Sequence, residues 1–221
     1  VPKLIPQWLW PSLTLSSQPP ADSPQHQWLQ NQRDKVNQGS WSAQSDVALE
    51  EARRLFDAEQ ERRRGADSKA GLYLAAITAL MPILATILPS LWGENISKTL
   101  AGTLLVIFIC ALIYLMRAGF WALQTIKTSA TAQLGAGDIA DSFSSNKPEE
   151  QLVKQLLRAV IYNYNGTNQK ISCIKMTHEY LLRSFFCFVV FLAVRAVWPV
   201  AAWTFIHIHN EIVIPLMSCL Q

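Results

Sequence analysis

EQERRRGADSKAGLYLAAITALMPILATILPSLW, residues 59–92, is the stretch whose reading decides the fold. A densely charged, helix-forming run passes, with one glycine in between, into residues 70–92, which carry no charge at all. About 20 apolar residues cross the hydrocarbon of a bilayer, so a run of this length predicts a transmembrane helix rather than a core helix. Nine of its positions are Leu or Ile, each favourable by about 0.3–0.6 kcal/mol on insertion scales.

Two further apolar runs follow. Residues 99–116, TLAGTLLVIFICALIYLM, lie between Lys98 and Arg117, and residues 184–206, SFFCFVVFLAVRAVWPVAAWTFI, carry a single charge, Arg195. The link 93–98 is so short that the first two runs must form an antiparallel hairpin. The expected fold is therefore an all-α integral membrane protein: a helical hairpin plus a third membrane helix, with cytoplasmic amphipathic helices and an extended Trp/Pro-rich N-terminal tail. Composition agrees, since charged residues make up 16% against about 25% in ordinary soluble domains.

Orientation follows from the placement of Lys and Arg. The stem at 46–69, just before the first run, holds six (Arg53, Arg54, Arg62, Arg63, Arg64, Lys69) and eight lie between the second and third, from Arg117 to Arg183. The hairpin link has only Lys98, and the tail after residue 206 has none. The N-terminus and the middle segment are predicted to be cytoplasmic, with the C-terminus across the membrane. VPKLIPQWLWPSL at the start lacks a continuous apolar core and is interrupted by Pro2, Pro6 and Pro11, so no secretory signal is expected there, and the start at Val1 suggests a trimmed terminus. A net charge of +3 is too small to suggest direct nucleic-acid binding.

Four regions result. Residues 1–45 hold six prolines and four tryptophans among Gln and Ser, a composition that cannot build its own core. Trp8, Trp10, Trp28 and Trp41 are candidate anchors, for a docked partner first, then for the membrane surface or for this protein's own helices. Residues 46–122 form a stem helix, begun by Ser45 or Asp46 as N-cap, and the hairpin. Glu50–Arg54 and Glu59–Arg63 sit at the favourable acid-before-base spacing, and Leu49, Ala52, Leu55 and Phe56 make a narrow apolar stripe. Residues 123–179 are a cytoplasmic helical segment: a small-residue loop (128–146), a helix opened by Pro148, a turn at YNYNGTNQK, and a second helix from about Asn168. Leu152, Val153, Leu156, Leu157, Val160, Ile161 and Tyr164 repeat on one helix face. That face has to be covered by a neighbour helix, another copy, a partner or the bilayer, and it is the predicted element of coupling or oligomerisation. Residues 180–221 are the third membrane helix and the C-terminal tail.

Enzyme chemistry is not indicated. There is no glycine-rich phosphate loop, paired acid constellation or Cys-x-x-Cys, and no cofactor is expected. His207 and His209 are two apart, which on a helix does not present both to one metal, so no metal is expected. Arg195 is the sharpest residue: a charge near the middle of a membrane helix costs about 2.5–3.5 kcal/mol on insertion scales and usually faces a bundle interior or water. A polar or pore role, snorkelling, and a re-entrant segment are the open readings, and Pro199 four residues on leaves the Arg195 carbonyl without its helical donor.

The layout resembles the small transmembrane effectors of bacterial anti-phage defence (Pycsar, CBASS and retron transmembrane effectors and the related SLATT-type domains). The resemblance rests on Ala66, Asp67, Lys69 and Ala70 leading into a first span, a tight hairpin, and an N…N…K pattern at Asn163, Asn168 and Lys170 before a last hydrophobic segment. It covers roughly residues 50–202. It implies a multi-pass protein of the bacterial inner membrane, silent until infection is sensed, that then oligomerises or opens, permeabilises the bilayer and stops growth. Nucleotide-gated members often carry a ligand-binding domain, whereas residues 1–44 are too short and too poor in strand pattern to form one. The resemblance therefore implies a protein-type trigger: a cytoplasmic sensor protein or ribonucleoprotein, such as a retron reverse transcriptase with its bound nucleic acid. A membrane anchor recruiting a soluble enzyme through the tail, or a small channel subunit, are the alternatives.

Overall fold

A computed structural model describes residues 22–41, 43–87, 89, 97–127 and 131–208, with backbone only at 202 and 205–208. Five helices make up the described chain: α1 Pro24–Gln38, α2 Ser45–Ile87, α3 Lys98–Ile126, α4 Ala136–Phe143 and α5 Pro148–Ile208. There is no strand among the described residues. Helices α2, α3 and α5 are each long and apolar enough to cross a membrane. The chain falls into two units, one within Val1–Ala75 and Phe120–Thr177, the other within Ala76–Gly119 and His178–Gln221.

The second unit is knit by a strict seam on α3. Leu104, Phe108, Ala111, Leu115 and Ala118 are buried at alternating steps of four and three, the heptad spacing that keeps one face toward a partner helix. The partner is α5. Phe108 meets Phe188 and Phe191 at ring-centre distances of 6.1 and 5.9 Å, Tyr114 meets Tyr180 at 6.1 Å, and the Ser184 hydroxyl donates to the Ala111 carbonyl at 2.9 Å. A small residue at 111 lets that backbone carbonyl come within reach, as small residues do wherever membrane helices approach closely. Outward from this seam the surface is apolar: Val106, Ile109, Ile113, Met116, Phe185, Phe186, Leu192, Val197 and Trp203 are all exposed. Only 28% of the most apolar stretch of α3 is buried. Water would penalise such a surface heavily, and lipid would not.

The first unit has an ordinary small core. Ala52, Val153 and Leu156 are buried together, with Trp41, Ala48, Leu49, Phe56, Leu134 and Leu157 packed around them. The stripe on α2 and the amphipathic face of α5 thus cover one another within the chain. Leu152 is buried too, while Val160 and Ile161 are half-buried and Leu55 points outward.

Three sequence expectations give way here. Residues 24–38, predicted as part of an extended tail, are helix α1: the Ser23 hydroxyl accepts from the His26 N–H, Pro24 opens the first turn, and the Gly39 N–H closes the last on the Lys35 carbonyl at 2.9 Å. The loop predicted over 128–146 contains α4, whose start is fixed by Asp138 accepting from the Gly135 N–H at 2.8 Å. Finally, the turn predicted at YNYNGTNQK is absent. α5 runs through it unbroken, because the polar side chains that would favour a turn are engaged elsewhere. Residues 1–21, the hairpin link 90–96 and residues 209–221 lie outside the described residues.

Candidate functional site

α2 and α5 meet in the first unit through a polar junction just beyond its apolar core. Arg62 on α2 is its hub. The Arg62 guanidinium donates to Glu59 Oε2 at 2.9 Å and to Asn168 Oδ1 at 2.7 Å, and its plane lies 5.6 Å from the centre of the Tyr164 ring. A guanidinium can do all three because its donors fan out in a plane whose face remains free to stack. One turn further along, Lys170 bridges to Asp67. The pair is lopsided: the Lys170 side chain is 7% exposed and Asp67 39%.

Asn163 fixes the segment that leads to α4. Its side-chain amide donates to the Ala132 carbonyl at 2.8 Å and accepts from the Ala132 N–H at 2.9 Å, holding both backbone polar groups of one residue. Beneath that segment is a cavity of about 260 Å³ lined by Glu59, Arg63, Arg64 and Asp67 of α2, Thr131 and Gln133, and Asn163 and Thr167 of α5. Two buried atoms among these lining residues have no hydrogen-bond partner, Glu59 Oε1 and Thr167 Oγ1. A buried polar group left unsatisfied costs about 1–3 kcal/mol.

α1 is strapped along α5 by side chains rather than by a core. Trp28 meets Tyr164 at 5.2 Å, Gln25 bonds Asn165 at 3.2 Å, and Asn37 accepts twice from Arg158 at 2.9 and 2.7 Å. Val36 is the only residue of α1 that is buried. Exposed polar bonds of this kind are worth about 0.5–1.5 kcal/mol each and an aromatic pair about the same, so α1 is held weakly.

The residues singled out from sequence are distributed accordingly. Of the motif set, Asp67, Asn163, Asn168 and Lys170 converge on the junction, while Lys69 is exposed. Trp28 contributes a contact but stays 46% exposed, and Trp41 is half-buried against the core of its own chain. Trp8 and Trp10 lie outside the described residues. The coupling face is largely spent on α2. Arg195 is exposed on α5, which continues through Pro199, so the described residues offer no break for a re-entrant turn. His207 and His209 side chains are not among the described ones, and no group of potential metal ligands occurs among those that are. Glu59, Arg62, Tyr164 and Thr167 were missed as a set. Their signal was available: 163, 167 and 170 follow one helix face (steps of four and three), a pattern that a turn at Gly166 would not need.

No protein-family model matches the chain, and no curated protein or solved structure matches it either.

Proposed function

We propose that this protein is a membrane-permeabilising effector of an anti-phage defence system, restrained in its resting form and released through its soluble helical unit. The observation that carries the reading is the state of α1. A weakly held helix with a half-exposed tryptophan lies on the N-terminal part of α5, and the same uninterrupted helix carries Arg195 in its apolar part. A partner that captures α1 or Trp28 would remove the straps Gln25–Asn165 and Asn37–Arg158 from α5, and low-stability elements of this kind are where switching starts. The resemblance to small defence effectors supplies the setting: a bacterial inner membrane, a cytoplasmic N-terminus, self-association once active, and a sensor such as a reverse transcriptase with bound nucleic acid.

The second reading is a membrane anchor that recruits a soluble partner through α1 and Trp28, favoured by the same exposed tryptophan. Induced expression separates the two, with membrane potential and growth followed in cells carrying the chain alone or with its genomic neighbours. Depolarisation and arrest that appear with a neighbour able to bind α1, and not with the chain alone, are the expected result for an effector. An intact potential under every condition would leave only the anchor.

A further inference from the structure

Between α1 and α5 the first unit holds another, more open cavity, of about 350 Å³. Arg33 of α1 lines one side of it, Gln155, Arg158 and Tyr162 of α5 another, and Asp138 of α4 a third. Arg33 is exposed and makes no hydrogen bond, ion pair or ring contact with any described residue. Arg158 is exposed as well. Its Nε and Nη2 both donate to Asn37 Oδ1, at 2.9 and 2.7 Å, and its Nη1 is uncommitted. Two guanidinium groups on different helices thus share one cavity, and the single acid of the lining does not answer them. Asp138 forms an ion pair with neither. It caps α4 instead, Oδ2 accepting from the Gly135 N–H at 2.8 Å, where the positive end of that helix meets its charge. Gln155 tilts the balance the same way: the Ser142 hydroxyl, at 3.0 Å, occupies its Oε1 and leaves its amide N–H groups as donors.

We propose that this cavity binds a small phosphate monoester on a hydroxyl-bearing scaffold, of the sugar-phosphate kind. A phosphate dianion presents acceptor oxygens on several sides, so it takes one guanidinium from α1 and another from α5 at once. A carboxylate has a single planar pair of oxygens, which suits one arginine fork better than two on different helices. Bare phosphate would fill only part of the space. A short polyol fills the rest, its hydroxyls donating to Asp138 Oδ1 and accepting from the Gln155 amide. Tyr162, 53% exposed, offers the apolar body of its ring to the carbon side of such a scaffold. Because Arg33 rides on α1, a phosphate shared with Arg158 ties that weakly strapped helix to α5 at a further point and stabilises it by mass action. In the functional reading above, the same ligand keeps the chain in its resting form. That consequence rests on the reading, whereas the binding does not.

The experiment uses the full chain in phosphatidylcholine nanodiscs. Calorimetric titration and hydrogen exchange over residues 24–38 are followed with glycerol phosphate, ribose phosphate and glucose phosphate, against citrate and glucose as controls. At least one ester should bind saturably and slow exchange in α1, with glucose inert and citrate weaker by about tenfold. Arg33→Gln removes a side chain that touches no described residue, so unliganded thermal stability should hold while ester binding falls about tenfold. Arg53→Gln, a change at an exposed arginine of α2 outside the cavity, should leave binding as it was. A panel with no saturable ester, citrate binding as well as the esters, or binding indifferent to Arg33→Gln would each overturn the proposal. So would equal losses in Arg33→Gln and Arg53→Gln, which mark a diffuse field rather than a site. Slowed exchange that appears only when phosphatidic acid is added to the disc, and with no soluble ester, would overturn it too. Every readout can be taken whether or not the chain permeabilises membranes.

Discussion

The Asp67–Lys170 bridge illustrates how burial, rather than contact, decides what a single residue is worth. Removing the partner of a buried charge is strongly destabilising, about 3–5 kcal/mol when both groups are buried. Here the lysine is buried and the aspartate is partly wet, so the two deletions should differ. Asp67→Ala strands a buried ammonium and should cost up to about 3 kcal/mol. Lys170→Met keeps the stem packed and leaves an aspartate that water can reach, and it should cost under about 1 kcal/mol by comparison. Denaturant unfolding in detergent reads the difference, and equal losses would contradict it. At Glu150 the Lys154 ammonium, hydrogen-bonded at 3.0 Å, holds the carboxyl below the usual carboxylate range. Because the folded value is the lower one, its contribution is complete above the unfolded pKa of about 4.3 and disappears as pH falls through the folded value. Glu150→Gln should therefore flatten the acid limb of a thermal-stability profile below pH 4.3 and change nothing near neutrality in shape. Cys173 is buried at 2% exposure, and burial pushes its thiol up. It should resist alkylation in the native protein and react once unfolded.

At the scale of elements, α1 is the part expected to open first. Trp28→Ala should abolish hydrogen-exchange protection over residues 24–38 while leaving the α2–α5 core protected, whereas Leu156→Ala should cost about 2–5 kcal/mol through a cavity in that core. The joint between α1 and α2 depends on Gly39 for want of a side chain: a Cβ there would come within 2.8 Å of the Trp41 ring. What could be read from sequence follows the physics of each element. The three apolar helices were legible because length and hydropathy alone define them. α1 was not, because Trp28, Leu29 and Val36 are too few among its polar residues to set a helical period, yet Ser23, Pro24 and Gly39 stand where a helix start and stop require them. The uninterrupted α5 was hidden for another reason. Asn163, Gly166 and Asn168 are turn formers by propensity, and propensity yields when the bonds of Asn163 to Ala132 and of Arg62 to Asn168 repay the helix from outside. The candidate site was half legible: Asp67, Asn163, Asn168 and Lys170 were singled out, but that they would meet Arg62 and Glu59 requires the packing of α5 on α2, which no local pattern states.

For the whole molecule the decisive question is what Arg195 does in the apolar part of α5. If it serves the permeation path, Arg195→Leu should insert at least as well as the parent chain and leak less potassium or dye at matched protein level, with Arg195→Lys intermediate, since lysine keeps the charge without the forked donors. Unchanged leakage in Arg195→Leu would mean that the arginine only snorkels. The α3 seam has a consequence for how such a chain can vary over generations. Leu104, Phe108, Ala111, Leu115 and Ala118 hold the seam, and the exposed positions between them, Val106, Ile109, Ile113 and Met116, accept almost any apolar residue. A single inserted codon after Cys110 would rotate the remainder of the helix by about 100°, bringing Tyr114 and Arg117 into the slots now filled by Leu115 and Ala118. Insertion of seven residues would restore the phase. Lineages of this helix should accordingly drift freely by substitution and change length in heptads, and a scanning-insertion library of α3 should show survivors at seven and losses at one and two.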